Sequence, residues 1–209
     1  MYLPDRYAET DPAVIETLIA EARLGVLVTH GPEGLYASHL PFLWDAESHT
    51  AVAHLARANP HRSMAGEGEA MLIVQGADAY VSPGFYPSKA EDPRKVPTWN
   101  YEAVHLYGRL EWFDDAERLL GVVQGLTARN EAHRAEPWRV ADAPVDYIAK
   151  MLRGIVGVSL RVERVEAKRK LSQNQNAIDR DGAMQALAAS ADPRARELAA
   201  AMRTAQSQA

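Results

Sequence analysis

Runs of β-branched, aliphatic and aromatic residues recur along the chain, and turn residues separate one run from the next. Six runs are long enough to form strands: residues 26–30, 35–44, 50–56, 71–82, 102–113 and 156–162. The Gly-Pro-Glu-Gly segment between the first two runs predicts a β-hairpin. Valine or leucine occupies every second position of the last run, as in a strand with one buried face. About six antiparallel strands with peripheral helices predict a mainly β (α+β) fold built on a closed or partly closed barrel.

Helix start signals lie near both ends of the chain. Asp11 and Pro12 form a capping carboxylate followed by a proline at the first helical position. A second Asp-Pro pair, at 192–193, lies in an alanine-rich tail with apolar residues at helical spacing. We therefore predict a barrel domain over residues 1–178 and a C-terminal helical extension over residues 179–209.

The composition argues against several classes of protein. The chain has 209 residues, a formal net charge of −5 and no cysteine. General nucleic-acid binders usually carry a basic excess, and without cysteine there is neither a disulfide nor a thiolate metal site. The seven histidines show no metal-ligand motif, so no metal site is predicted. Neither a signal-peptide core nor a run of membrane-spanning length is present, which predicts a cytoplasmic protein without membrane contact.

Three polar tracts separate the apolar runs and carry the chemistry of a binding site. They read HLARANP at 54–60, VPTWNY at 96–101 and KRKLSQN at 168–174. Arginine, lysine, amide and hydroxyl side chains bind anions, and tryptophan stacks on flat rings. The combination suggests a cofactor with a phosphate and an aromatic ring. The chain has no glycine-rich dinucleotide fingerprint, so a Rossmann domain is not expected.

Five motifs in order also resemble those of a known family. LYASHLPFLW, HLARANP, QGADAYVSPGFYPSK, VPTWNYEAVHLYG and EAKRKLSQN are similar to motifs of the PaiB-type FMN-binding family, whose members are described as negative transcriptional regulators. The resemblance extends from the N-terminus to about Asp181. It implies an FMN-binding split β-barrel, a homodimer, and FMN held near the subunit interface.

The first group of candidate FMN-binding residues lies around the first polar tract. Ala56, Arg57 and Asn59 end or follow the third predicted strand, where a loop could close over a phosphate. The alternatives are a surface salt bridge for Arg57 and a turn role for Asn59. Ser38 and His39 are polar residues inside an apolar run, and the edge of the flavin ring could satisfy them. The alternative for His39 is a core histidine bonded to backbone.

The second group lies in the other two tracts. Trp99 could stack on the flavin or close the barrel end as an aromatic plug, and Asn100 could hold a loop or a ligand. Four further residues are predicted to follow the last strand on a ligand-facing loop: Lys170, Ser172, Gln173 and Asn174. The alternative for the basic residues of this tract is a solvated charge run. No catalytic residue is identified.

Two functions remain open from the sequence. The first is a flavin-dependent or flavin-sensing transcriptional regulator, and the second is an FMN-dependent oxidoreductase acting on a small molecule. Direct contact with DNA has little support, since residues 179–206 contain four basic and four acidic residues. Residues 161–170, with five basic and two acidic residues, are the only basic stretch that could serve. A third possibility, haem binding or degradation, has no specific support.

Overall fold

The computed structural model describes residues 1–207. The strands in this part of the chain are β1 Ala8–Glu9, β2 Gly25–Gly31, β3 Gly34–Leu40, β4 Phe42–Asp45, β5 Thr50–Ala56, β6 Ala70–Val81, β7 Thr98–Phe113 and β8 Ile155–Lys170. The α-helices are α1 Pro12–Glu21, α2 His61–Met64, α3 Ala116–Glu131, α4 Val145–Leu152, α5 Ala177–Ala188 and α6 Pro193–Ser207. None of these helices is long and apolar enough to cross a membrane.

The strands form one sheet in the order β3-β2-β6-β7-β8-β5-β4, with β1 paired to β8. The pairs β2–β3, β2–β6, β4–β5 and β5–β8 are all antiparallel. The predicted α+β class with an antiparallel barrel sheet is therefore confirmed. The described residues contain eight strands rather than about six. The predicted run 35–44 divides at Pro41, which has no N–H to donate to a ladder, and β1 is too short to show a pattern.

Two strands are longer than the sequence predicts. β7 begins at Thr98 rather than at residue 102, and β8 continues to Lys170. Trp99 and Asn100 are therefore strand residues. Lys170 is the last residue of β8, so its predicted position on a loop after the strand is wrong. The charged sequence of 161–170 hides the strand, because strand prediction relies on apolar alternation.

The chain divides into two compact units. The first unit contains residues 1–15, 75–104 and 166–207, and the second contains residues 16–74 and 105–165. In the second unit, inward-facing side chains of the strands form the barrel core: Leu27, Leu40, Phe42, Ala51, Ala53, Leu72, Val158 and Leu160. Helix α3 packs Leu119, Val122 and Leu126 against Phe113.

In the first unit, α5 and α6 are part of a common core. Leu187 of α5 and Leu198 and Met202 of α6 pack with Val81 and Leu171. The last helices therefore bury apolar surface that β6 and the residue after β8 present to them. The proposed boundary between residues 178 and 179 stays a prediction, and residues 208 and 209 of that predicted extension lie outside the described part.

Candidate functional site

A buried network of hydroxyl, amide and imidazole groups lies in the second unit. Ser38 Oγ lies 2.8 Å from His61 Nδ1 and accepts a hydrogen bond from Asn59 Nδ2 at 3.1 Å. The other imidazole nitrogen, Nε2, lies 3.0 Å from Thr29 Oγ1. The Tyr36 hydroxyl donates a hydrogen bond to Asn59 Oδ1 at 3.3 Å. We call these five residues the Ser38–His61 network.

Local structure explains why these side chains meet. Thr29 and Tyr36 are directly opposite in the β2–β3 register, and Ser38 lies two residues further along β3, so all three share one face. Asn59 Oδ1 accepts the backbone N–H of His61 at 2.9 Å, which fixes the turn before α2. Ser38 and Asn59, each predicted to bind FMN, are therefore in direct contact.

His61 is the centre of the network and is fully buried. Burial lowers the pKa of its imidazole, so the ring is neutral near neutral pH. A neutral ring donates from one nitrogen and accepts at the other, and a hydroxyl group can serve in either role. The rings of Tyr36 and Trp112 lie 4.9 and 5.9 Å from the imidazole, centroid to centroid. No sequence pattern identified Thr29, Tyr36 or His61 as part of a site. The available signal was a histidine directly after the Asn-Pro pair of the first tract.

The Arg57 side chain is bound by protein groups. Its Nε donates to the carbonyl of Arg153 at 2.8 Å and one terminal nitrogen donates to the carbonyl of Ile155 at 2.7 Å. The other terminal nitrogen lies 2.7 Å from Asp114, which also pairs with Arg62 at 2.6 Å. These two arginines lower the pKa of the Asp114 carboxyl group. Every guanidinium nitrogen of Arg57 already donates to a protein group, which leaves two of its five N–H groups for any other acceptor.

His39 and Ala56 are exposed in the second unit. His39 points away from the core because it alternates with the inward residues Ser38 and Leu40. It lies opposite Val26 in the register, and Val26 also lies opposite Ile73. His39 is thus on the outer face of β2, β3 and β6. The structure does not bring it together with Ser38.

In the first unit, Asn100 and Ser172 form a buried pair. Their side chains lie 2.8 Å apart, and both residues are at most 1% exposed. With its amide O and N exchanged, Asn100 would also accept from the Ser172 N–H and donate to the Lys170 carbonyl, each at 3.3 Å. Ser172 has a φ of 65°, a left-handed conformation that costs energy in a residue other than glycine. This pair fixes the end of β8.

Lys170 lies at the same end of β8, and its ammonium lacks an acidic partner. It donates to the carbonyl of Trp99 at 2.6 Å and to Thr98 Oγ1. Burial and the nearby Lys168 ammonium lower its pKa. Lys168 lies on the same face of β8 as Lys170, two residues earlier. Its ammonium donates to the Tyr2 carbonyl at 3.0 Å and lies 5.1 Å from the Tyr101 ring centroid. Within residues 1–207, neither ammonium forms an ion pair with a carboxylate.

Trp99, Gln173 and Asn174 have different surroundings. Trp99 is 52% exposed, and its Nε1–H donates to Asp78 at 2.9 Å. Since it directly precedes Asn100 in β7, the two side chains point to opposite faces of the sheet. Gln173 accepts the Leu171 N–H at 2.7 Å and is exposed, as is Asn174. The roles predicted for all these residues in binding FMN stay predictions.

The sequence matches a family model and several relatives. A family model described as "Putative FMN-binding domain" matches residues 1–164. The "Protease synthase and sporulation protein PAI 2" of Bacillus subtilis (strain 168) is 30% identical over 205 residues, which cover 97% of this chain and 96% of that protein. The "Uncharacterized protein AN0679" of Emericella nidulans is 29% identical over 221 residues, covering 87% of this chain and 88% of that protein.

Solved structures share the fold. The FAD and heme binding protein from Mycobacterium smegmatis superposes with a TM-score of 0.60 at 19% identity, covering 85% of this chain and 80% of that one. The conserved hypothetical protein Rv2991 from Mycobacterium tuberculosis gives a TM-score of 0.57 at 14% identity, covering 84% and 94%. At these identities the likeness concerns the fold, which is the split barrel expected from the sequence.

Proposed function

Because the chain belongs to the PaiB-type family of FMN-binding proteins, we propose that it is an FMN-dependent transcriptional regulator that acts through a partner rather than through direct contact with DNA. FMN binding follows from the family. The regulatory role rests on the resemblance to proteins described as regulators. The indirect mode of action rests on the charges of this chain.

The basic stretch 161–170 is occupied by contacts within the protein. In the second unit, Arg161 pairs with Glu163 and Arg164 pairs with Glu69. In the first unit, Arg169 forms ion pairs with Glu102 and Glu9: the distance to Glu102 is 2.7 Å and that to Glu9 is 3.4 Å. The two lysines of the stretch donate to backbone carbonyls. DNA binding requires several cations that are free to neutralise phosphates, and the three arginines of this stretch are paired with carboxylates.

We place the FMN phosphate at Lys170, and the single observation that carries this placement is its ammonium without a carboxylate partner. The ammonium donates to two protein oxygens and has a third N–H to offer. Lys168 adds a second positive charge on the same side of β8, and the Tyr101 ring borders it. A dianion beside the two ammoniums would relieve their mutual repulsion.

The buried pair Asn100 and Ser172 would help to hold Lys170 in place, since the exchanged Asn100 amide donates to the Lys170 carbonyl. Bound FMN supplies the redox chemistry of its ring, and the protein binds and orients it. Arg57 does not fit the phosphate role as well, since its nitrogens already donate to Arg153, Ile155 and Asp114.

Comparing FMN with riboflavin, which lacks the phosphate, tests the placement. We expect Lys170→Met to weaken FMN binding about tenfold or more, because a charge-assisted bond is lost, and to leave riboflavin binding unchanged. Lys89→Met, at an exposed lysine of the first unit, is the matched control. Equal losses for FMN and riboflavin would show that Lys170 supports the fold and does not bind the phosphate.

The regulatory mode has its own experiment. Binding of the FMN-loaded protein to labelled duplex DNA should be weak and lack sequence preference at physiological salt. Transcript levels in host cells lacking the gene should be restored by the wild-type gene and not by Lys170→Met. Tight, sequence-specific binding of the purified protein to a promoter would refute the indirect mode.

An FMN-dependent oxidoreductase is the second candidate. The commitment of the basic stretch to internal contacts favours it, since a small-molecule enzyme needs no DNA-binding face. Anaerobic mixing of the FMN-loaded protein with NADH or NADPH should then bleach the flavin absorbance faster than mixing with free FMN. Equal rates would argue against this candidate.

We also propose a homodimer. The outer face of β2, β3 and β6 carries partly or fully exposed apolar residues that are neighbours in the register: Val26, Val28, Ala37, Met71 and Ile73. An apolar sheet face of this kind is a natural self-complementary surface for a two-fold dimer. It would bring His39 to the interface, in agreement with the FMN position that the family resemblance implies.

A further inference from the structure

We propose a second small-molecule site in the first unit, specific for a planar aromatic amine. The site is a cavity of about 440 Å³ at the outer half of β6, a volume typical of ligand pockets. Its lining comprises strand residues and residues around the α5–α6 turn: Asp78, Ala79, Tyr80, Phe85, Trp99, Ala186, Leu187, Ser190, Asp192, Arg194 and Ala195. The whole α5–α6 side lies beyond residue 164, where the family model ends.

Three aromatic side chains supply the walls. Tyr80 and Trp99 have ring centroids 6.4 Å apart, with their planes inclined by 56°, and Phe85 lies close by. Tyr80 is 49% exposed and Trp99 is 52% exposed, which is unusual for such large rings. The facing residues Ala186 and Ala195 are small and leave room. A flat ring could enter and contact the aromatic faces at favourable angles.

The charges at the rim determine which ring is preferred. Asp78 accepts the Trp99 indole N–H through one oxygen at 2.9 Å, and its second oxygen forms no other hydrogen bond within residues 1–207. Asp192 adds a second carboxylate and Arg194 adds one guanidinium, so the lining carries a net negative charge. Aromatic faces and carboxylates both attract cations. A ring bearing a protonated amine fits this lining, whereas a ring bearing an acid does not.

The same charges separate this cavity from the flavin site. The FMN phosphate is dianionic, and two carboxylates at the rim would repel it. The phosphate position proposed above uses Lys168 and Lys170, and neither lysine lines this cavity. Only Trp99 is common to the cavity and the candidate FMN residues. The inference therefore does not depend on the flavin proposal.

A matched pair of probes tests the proposal. Tryptamine and indole-3-acetate share the indole ring and differ in the sign of the charge. Isothermal titration of the full-length protein with each should give tighter binding of tryptamine, by about tenfold or more. Equal affinities, tighter binding of the acid, or no binding of tryptamine would overturn the proposal.

Variants identify the residues responsible. Asp78→Asn keeps an acceptor for the Trp99 indole and removes the charge, so it should weaken tryptamine binding about tenfold. Glu91→Gln, at an exposed acid outside the cavity, should change nothing. Ala186→Phe should fill the cavity and abolish binding while the far-UV circular dichroism stays that of the wild type. An unchanged affinity in both cavity variants, or competitive displacement of tryptamine by FMN, would refute a separate amine site.

Discussion

Ser38 Oγ and His61 Nδ1 lie 2.8 Å apart inside the second unit, 23 residues apart in sequence. The serine also accepts from Asn59, so one hydroxyl satisfies an imidazole and an amide. The pair connects β3 to the turn that precedes α2. It therefore joins the strand that carries Ser38 to the residue directly after the first polar tract.

Ser38→Ala should destabilise the protein. Removing the hydroxyl leaves the buried Nδ1 of His61 and the partly buried Nδ2 of Asn59 without this partner, which costs about 1–3 kcal/mol of the free energy of unfolding. Urea unfolding measures this loss. His39→Ala, at the exposed neighbour, should change stability by less than about 0.5 kcal/mol. Equal effects of the two substitutions would mean that the network contributes nothing to stability.

Arg57→Ala separates the sequence-based expectation from the geometry. The sequence predicts a loss of FMN affinity that exceeds the loss of stability. The contacts to Arg153, Ile155 and Asp114 predict the reverse: a loss of about 1–2 kcal/mol in stability, moderated by solvent, and unchanged FMN affinity. Arg62→Ala, which removes only a partner of Asp114, is the matched control and should cost less. A tenfold loss of FMN affinity for Arg57→Ala alone would restore the phosphate role.

The stability of the protein should fall as the pH drops below about 6.5. Burial lowers the pKa of His61 in the folded state, so the unfolded chain takes up its proton at a higher pH than the folded protein does. The unfolded state is then favoured by acid. Burial also lowers the pKa of His54, which therefore contributes to the pH dependence of stability.

Substituting the two histidines separately resolves their contributions. Urea unfolding at about pH 7.5 and about pH 5.5 should give a shallower pH dependence for His61→Gln than for the wild type, whatever its absolute stability. His54→Gln should remove a separate part of the pH dependence of stability. A slope that neither substitution alters would assign the pH dependence to other groups.

Asp179 should contribute stability at neutral pH that is lost in strong acid. Burial would raise the pKa of its carboxyl group, but hydrogen bonds from Lys95 and Ser88 outweigh burial and lower it to about 2. Because this pKa is below the unfolded value of 3.8, the stability that Asp179 contributes is lost as the pH falls from 3.8 towards about 2.

Asp179→Asn should therefore be less stable than the wild type at neutral pH. The difference in the free energy of unfolding between variant and wild type should narrow as the pH approaches about 3. Asp181→Asn, at an exposed carboxylate on the same helix, should show neither effect. Because Lys95 and Ser88 belong to the loop 83–97, faster cleavage of this loop by trypsin should accompany Asp179→Asn. If the difference in the free energy of unfolding were the same at all pH values, titration of Asp179 would not contribute to stability.

Ile73→Asp should disrupt the proposed homodimer. A carboxylate in the middle of the apolar face would be desolvated on pairing. Light scattering at micromolar concentration should show a shift towards the mass of one 23.0 kDa chain. Ile178→Asp, at a 67% exposed isoleucine of the first unit, should leave the mass unchanged. A wild-type protein that is already monomeric would contradict the dimer itself.

The sequence by itself determined the position of most strands and the family. Alternation in 156–162 and the glycine-containing turn at 31–34 are local signals, and they are readable because a strand repeats every two residues. The motifs around Arg57, Asn100 and Ser172 are short and ordered, so the resemblance could be recognised without a structure. The family match over residues 1–164 confirmed it.

Only the tertiary structure decided which partner each polar side chain has. Arg57 donates to carbonyls about a hundred residues away, at Arg153 and Ile155, and no local pattern encodes such a contact. The burial of His61 depends on strands that come together from distant parts of the chain. The charged end of β8 lacks apolar alternation, and its pairing with β1 identifies it as strand. Sequence periodicity reports local geometry, whereas hydrogen-bond partners and buried charges depend on long-range packing, which the fold alone specifies.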